Sequence, residues 1–412
     1  MGQKKLACAT WPGVGLNRGG EASSVGRMFL PSLIFASFAT GNVGIFAALF
    51  LVEISKTFGV DVGLMGQANT FAAVVAVVFA LVTGILSIRF RDGILLLMGM
   101  LAYSVAAVGC YFAWSFSSIL MFYSVNGLAQ AMIGPMTNAL VGDNVALEKR
   151  ASAIGRINAA GSLAILVGAP IMGVLSGFGG WRVAVLAFIV PFSLIAIPFV
   201  SVSVFQMKQS SRAANKSSMY SEGLKKVFSC KSATGCLVGN VFRVAVATAL
   251  MAYGTAFTIE RFGLTIGLAS VVILLVAFFA MLGNLVERPI RKRGRKISTV
   301  ASVLFAGFFT ISYAFAPTLL VSVILMFGAA LFDGLATSAS MSLTLEQMPE
   351  LRGTMMSLFA AFSGIGAAIG AGVGGLTLIL YNYEVLGVIL GSMGIMAAVV
   401  FRFLTVDPMS NV

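Results

Sequence analysis

Arg243 and Asp333 are the two side chains whose chemistry stands out against their surroundings. Each lies near the middle of a stretch long and apolar enough to cross a bilayer. An ionised side chain at that depth costs about 2.5–3.5 kcal/mol on insertion scales and is kept where it pairs, meets water or does work. The two differ in what they can do. A guanidinium stays charged, whereas a carboxylic acid trades its proton: burial favours its neutral form and a neighbouring guanidinium its ionised form. Asp333 is therefore the candidate coupling carboxylate, with Arg243 its candidate partner; a purely structural ion pair is the alternative. The sequence contains no histidine, so proton chemistry near neutral pH falls to carboxylates.

Uncharged polar residues share this depth. Asn42, Asn126, Gln130, Arg243 and Asp333 all lie about 15–22 Å from one membrane surface at 1.5 Å per residue. Thr337, Ser340 and Thr344 follow Asp333 at helical spacing and extend one polar stripe. Polarity at one depth on four helices suits a solvated binding site, lined here by Asn42, Asn126, Gln130, Arg243, Asp333, Thr337 and Ser340. Hydrogen bonds between packed helices are the alternative role for the three amides.

The elements that must position these residues follow from composition. The 412-residue chain is 59% hydrophobic and 10% charged, where a soluble domain carries about a quarter charged residues. Apolar runs occupy 28–52, 63–88, 93–112, 117–141, 153–176, 182–205, 233–258, 264–286, 297–316, 318–345, 353–380 and 384–404. Each is long enough for a helix across about 30 Å of hydrocarbon, and none alternates with the period of a barrel strand. The fold class expected is an all-α membrane protein of twelve transmembrane helices.

The net charge of +13 points to membrane topology, not to nucleic acid. With the N-terminus inside, 23 of the 27 Lys and Arg fall on inner segments; Lys56, Arg182 and Arg261 fall outside, and Arg243 lies within a span. The positive-inside rule then places both termini in the cytoplasm of a cell-membrane protein. Residues 1–27 lack the apolar core of a secretory signal and read as a cytoplasmic tail.

The chain divides at a polar segment, 206–232, into halves of six spans each, 28–205 and 233–412. The halves repeat. Arg150, Gly168 and Gly173 correspond to Arg352, Gly370 and Gly375 at a constant offset of 202. Gly84, Leu86 and Arg89 after the second span correspond to Gly283, Leu285 and Arg288 after the eighth. Two such halves are the signature of alternating access around a midplane site.

These motifs carry a family resemblance. The chain is similar to major facilitator superfamily transporters over about residues 28–405, most closely to the drug and metabolite efflux branch. Gly168-Ala169-Pro170-Ile171-Met172-Gly173 resembles that branch's fifth-span element, associated with antiport. Gly84, Leu86 and Arg89 fit the superfamily's loop motif, with Ile88 where an acid belongs. Gly283, Leu285, Glu287, Arg288, Gly294 and Arg295 keep more of its character, which places the expected gating pair, Glu287 with its basic neighbours, in the second half; a solvated basic loop is the alternative there. Tyr123 stands where the efflux branch has an arginine. The resemblance implies two pseudo-symmetric six-helix bundles and a cavity lined by the first, fourth, seventh and tenth spans. Gly168, Pro170 and Gly173 are read as a packing and bending element.

The function expected is secondary active transport of a small organic solute, in the direction of proton-coupled efflux, by a monomer in the lipid bilayer without a cofactor or metal. Uptake by symport, or facilitative uniport, is the alternative on the same fold. An enzyme has no nucleophile–base pair to rest on here, no phosphate loop supports direct use of ATP, and a sensor lacks a signalling domain.

Overall fold

The computed structural model describes residues 28–145, 147–205, 223–290 and 294–407. The N-terminal tail, the linker segment 206–222 and residues 408–412 lie outside the described residues. Within them run twelve helices long and apolar enough to span a membrane. We number them α1 Phe29–Phe58, α2 Val62–Arg89, α3 Asp92–Phe112, α4 Phe116–Asn144, α5 Leu147–Ser176, α6 Gly180–Val204, α7 Lys231–Phe262, α8 Ile266–Ile290, α9 Arg295–Ala314, α10 Leu319–Leu345, α11 Arg352–Leu380 and α12 Tyr383–Leu404. The odd-numbered helices run away from the face that carries the ends of the chain, here the terminal face, toward the opposite, distal face.

Local chemistry sets the boundaries. Ser115 and Ser118 form a reciprocal capping box at the start of α4, and Thr318 and Asn382 cap α10 and α12 through their side chains. These bonds satisfy backbone N–H groups that the first turn leaves without partners. α1 and α7 both stop at a left-handed glycine, Gly59 at φ 64° and Gly263 at φ 65°, the conformation glycine adopts at least cost. Helices reach further than the apolar runs where polar residues continue the turn. α1 includes Glu53-Ile54-Ser55-Lys56-Thr57, and α5 begins six residues before its apolar run. The polar segment 206–232 is likewise partly helical, over 223–229 and from Lys231.

Arg182 explains its place among the few basic residues of the distal face. Its guanidinium donates to the carbonyls of Tyr111 and Ala113 at the end of α3, the latter at 2.7 Å, and lies 4.5 Å from the Trp181 ring. A cation there satisfies carbonyls that have no partner within the helix. Glu53 of α1 accepts from the Trp181 backbone N–H at 3.2 Å, an anion on the first turn of α6. On the terminal face, the chain after α12 folds back. Asp407 accepts from the backbone N–H groups of Arg295 and Lys296 at 2.7 and 3.2 Å, while Gln347 and Ser232 hold the backbone of Val406.

The two bundles repeat the same close crossings. Gly127 of α4 lies so near α2 that a Cβ would overlap the Ala72 carbonyl, and Gly334 of α10 meets the Ala280 carbonyl of α8 in the same way. Small residues permit such backbone approaches, which replace the missing hydrophobic drive for association in lipid with direct packing. The halves meet through α2 with α11, α5 with α8, and α1 with α7. The resolved approaches between them cluster at the distal end. Gly63 abuts Gly375 and Ile379, Gly66 abuts the Tyr253 ring, Gln67 donates to the Gly372 carbonyl at 3.3 Å, and Gly173 abuts Ser270. Toward the terminal face, Gly84 and Gly155 have open space where a Cβ would project. The four bridging helices α2, α5, α8 and α11 are the least buried, at 24%, 33%, 28% and 33% of their apolar stretches against 39% or more in the other eight. The close glycine approaches between the halves thus lie toward the distal end.

Candidate functional site

α7 and α10 bring Arg243 and Asp333 together. Arg243 Nη1 lies 2.8 Å from Asp333 Oδ1, and the arginine side chain is 7% exposed against 28% for the aspartate. The pair therefore has a fixed, buried cation and a more open anion. Arg243 Nη1 also donates to Thr337 Oγ1 at 2.7 Å. That hydroxyl donates in turn to the backbone carbonyl of Asp333, one helical turn before it, at 2.8 Å, so its single proton is used and one lone pair accepts from Arg243.

Asn240, which is not among the expected site residues, holds the arginine, and Ser363 holds Asn240. Asn240 Oδ1 accepts from Nε at 3.2 Å and Nη2 at 3.1 Å, and Asn240 Nδ2 donates to Ser363 Oγ of α11 at 2.8 Å. Asn240 is fully buried. Its spacing of three from Arg243 is a legible signal, because such pairs share a helix face. Nothing in the sequence pairs Ser363 with either of them.

The other expected site residues divide. Ser340 is fully buried and donates to the Thr337 carbonyl, and Thr344 donates to that of Ser340. The lower part of the α10 stripe thus bonds back into its own helix. Asn42 is fully buried at a break in α1, where its amide N–H donates to the carbonyls of Phe38 and Ala39 and its Oδ1 stands without a partner against Gly168. It occupies the α1–α5 packing and is not brought to Arg243. Asn126 is buried, with Oδ1 unpartnered, and lines a small apolar pocket with Tyr103, Tyr123 and Val185. Gln130, one turn on, is half-buried. Tyr123 donates to Asn69 of α2 at 2.9 Å, a polar position the sequence reading passed over.

The motif residues sit at helix ends and crossings. Gly283 presses on the Leu331 carbonyl of α10, whereas its counterpart Gly84 faces open space and Arg89 is exposed. Glu287 is only 3% exposed, and its Oε1 has no partner. The side chain of Arg288 lies outside the described residues. Gly168 packs on α1 and Gly173 on Ser270 of α8, on either side of Pro170 within α5. That short element thus joins packing inside one half to packing between halves.

The family model described as Major Facilitator Superfamily matches residues 32–356 and 292–412. The chain is 25% identical to the uncharacterized MFS-type transporter YwfA of Bacillus subtilis (strain 168) over 37% of each chain. It is 24% identical to Multidrug resistance protein 2 of the same organism, over 70% of this chain and 73% of that one. It is 22% identical to a probable 4-methylmuconolactone transporter of Cupriavidus pinatubonensis (strain JMP 134 / LMG 1197), over 83% and 85%. Among solved structures, a D-xylose-proton symporter superposes with a TM-score of 0.77 at 12% identity, over 93% of this chain and 99% of that one. The nucleoside transporter NupG superposes at 0.71 and 15%, over 91% and 99%.

Proposed function

The chain belongs to the major facilitator superfamily, and on that premise we propose that it moves a small organic solute across the cell membrane by alternating access, as proton-coupled efflux. The observation that carries this reading is the Arg243–Asp333 pair at 2.8 Å between two helices of the second half. It supplies one carboxylate with an opposed choice: ionised beside the guanidinium, or neutral when solute or conformation weakens that contact. Asp333 is the coupling group, and Arg243, Thr337 and Gln130 border the solute. Asn42, Asn126 and Ser340 support the walls. The distal closure through Gly63, Gly66 and Gly173 supports one end state of the cycle. Glu287 and Arg288, with Gly283, form the terminal-face gate in the other; Gly84 and Arg89 are its first-half counterpart. The basic residues of the described terminal face, among them Arg89, Arg91, Lys149 and Lys225, support cytoplasmic termini. Residues 28–205 and 233–412 act as the two moving units of a monomer.

Efflux draws on the fifth-span element Gly168–Gly173 and on the multidrug resistance relative; the muconolactone transporter keeps a small metabolite within the same reading. The test is flux in proteoliposomes over a panel of radiolabelled solutes, with and without an imposed pH gradient. A solute whose net movement follows the gradient, and stops in Asp333→Asn, is the expected result. Movement indifferent to pH would replace the proposal with uniport.

A further inference from the structure

From the geometry of the pair we infer that the solute is a small organic monocarboxylate, which takes the place of Asp333 on Arg243 while Asp333 takes up a proton. The inference rests on the transport reading above and names its solute class.

The starting point is which partner can move. An arginine has five N–H donors. Here Nε and Nη2 each give one to Asn240 Oδ1, and Nη1 gives one to Asp333 Oδ1 and one to Thr337 Oγ1. Asn240 is in turn tied to Ser363. The guanidinium stays where it is when Asp333 lets go. Asp333 engages it through one oxygen only; the described residues offer Oδ2 no partner, and the side chain is four times as exposed as that of Arg243, 28% against 7%. The second N–H of Nη2 has no described acceptor. A ligand carboxylate at this edge can use Nη1 and Nη2 together, the bidentate form that is stronger than the single contact Asp333 makes.

Charge decides the class of ligand. Arg243 does not deprotonate, and leaving a buried charge without its partner is strongly unfavourable. Every state of the site therefore needs an anion beside it. A cationic solute would draw Asp333 away and leave Arg243 alone. A neutral solute gives Asp333 no reason to release it. A monoanion replaces the anion that leaves, provided Asp333 becomes neutral. The step balances: Asp333–COO⁻ gains one H⁺ from solvent and becomes –COOH, the solute R–COO⁻ occupies Arg243, and the net charge of the protein site with its ligand is unchanged. No bond other than O–H forms. A dianion would exceed the single compensating cation. Solute and proton then travel together: the coupling is symport, which replaces the antiport associated with the fifth-span element, and net export follows only when the organic acid is in excess inside.

Other ionisable groups near Asp333 are few. The helices packed against α10 carry Lys231, Cys236, Tyr253, Glu260 and Arg261 on α7, Glu287 and Arg288 on α8, Arg295, Lys296 and Tyr313 on α9, and Arg352 on α11; α10 itself is followed by Glu346. Cys236 lies beside Thr344, three turns from Asp333. Tyr253 and Tyr313 donate to the carbonyls of Ala371 and Gly254. The remaining groups stand at helix ends. Among the described residues, Arg243 alone pairs with Asp333.

The test uses the purified full chain in detergent, with no membrane gradient, and acetate as the minimal carboxylate probe. Thermal stabilisation reads binding, and a pH indicator in weak buffer reads protons. Acetate should stabilise the protein saturably with uptake of close to one proton per site, and methylammonium should do neither. In Asp333→Asn, where the internal competitor is gone, acetate should bind at least tenfold tighter and take up no proton. No saturable effect of acetate, acetate binding without proton uptake in the native chain, or methylammonium binding that Asp333→Asn abolishes would each overturn the inference. If Asp333→Asn does not fold, proton uptake by the native chain decides alone. Because transport is not measured, these failures leave pH-driven flux of another solute class untouched.

Discussion

Asp333 stands in the second half where Asn126 stands in the first. Each immediately precedes the glycine that presses its helix onto an alanine carbonyl two helices earlier, Gly127 on Ala72 and Gly334 on Ala280. Aligning α1 with α7 on their closing glycines, Gly59 and Gly263, sets Ala39 opposite Arg243. The two bundles share a scaffold, and the charged pair is built into one of them. Asn126 keeps an unpartnered carbonyl oxygen, while Asp333 has an arginine.

The pair should behave as one unit. Arg243→Ala and Asp333→Ala should each destabilise the protein more than the double change does. The coupling should be on the order of 1–3 kcal/mol, because either single change strands a charge that was paired. Denaturation midpoints of the four proteins measure this. Additive single effects would mean that the two side chains do not interact.

Asn240 should matter through Arg243. Asn240→Ala removes the acceptor of two arginine N–H groups and should lower solute affinity about tenfold, the equivalent of about 1.4 kcal/mol. Ser363→Ala, one bond further away, should cost less. Equal losses would argue that the network supports the fold and not the guanidinium.

The distal closure should fail by overpacking at Gly63. A Cβ there would lie 2.7 Å from the Gly375 carbonyl and 2.9 Å from the Ile379 nitrogen, and forcing bulk into such a contact costs about 1–3 kcal/mol. Gly63→Val should widen spin-label distances across the distal end. Gly84→Ala, which meets nothing within 4 Å, should leave them unchanged. Distances unmoved by Gly63→Val would remove that contact from the gate.

Much of the fold was legible because transmembrane length and composition are nearly one-dimensional signals. All twelve apolar runs became helices, with ends displaced where Glu53, Lys56 or Lys149 continued a turn into polar sequence. Depth was legible too, and it placed Arg243 and Asp333 level with each other. Rotation about the helix axis was not. Asn42 and Ser340 have the depth of a cavity residue but turn into packing, because hydrophobic periodicity is weak in a helix apolar on every side. Ser363 and Asn69 went unread for a related reason: a lone hydroxyl or amide says nothing of the neighbour it will meet until the helices cross.

Glu287 should report on the terminal-face gate. With one carboxylate oxygen buried and unpartnered in this conformation, Glu287 is less well satisfied here than it would be beside a cation, by about 1–3 kcal/mol on the usual penalty for an unsatisfied buried group. Glu287→Gln should favour this conformation over one in which the carboxylate finds a cation, and shift the distance distribution across the terminal face toward it. Solute affinity within a given state should change little. An unaltered distribution would sink the gating role.

The central claim is that Asp333 carries the coupling proton, and it is tested most directly by comparing two fluxes of one transported solute in proteoliposomes. In Asp333→Asn, exchange of solute at equal concentrations without a pH gradient should persist, because alternating access needs no coupling group once the solute is bound. Net accumulation driven by an imposed pH gradient should vanish. A variant that still accumulates solute against its gradient, at the native rate, would contradict the account.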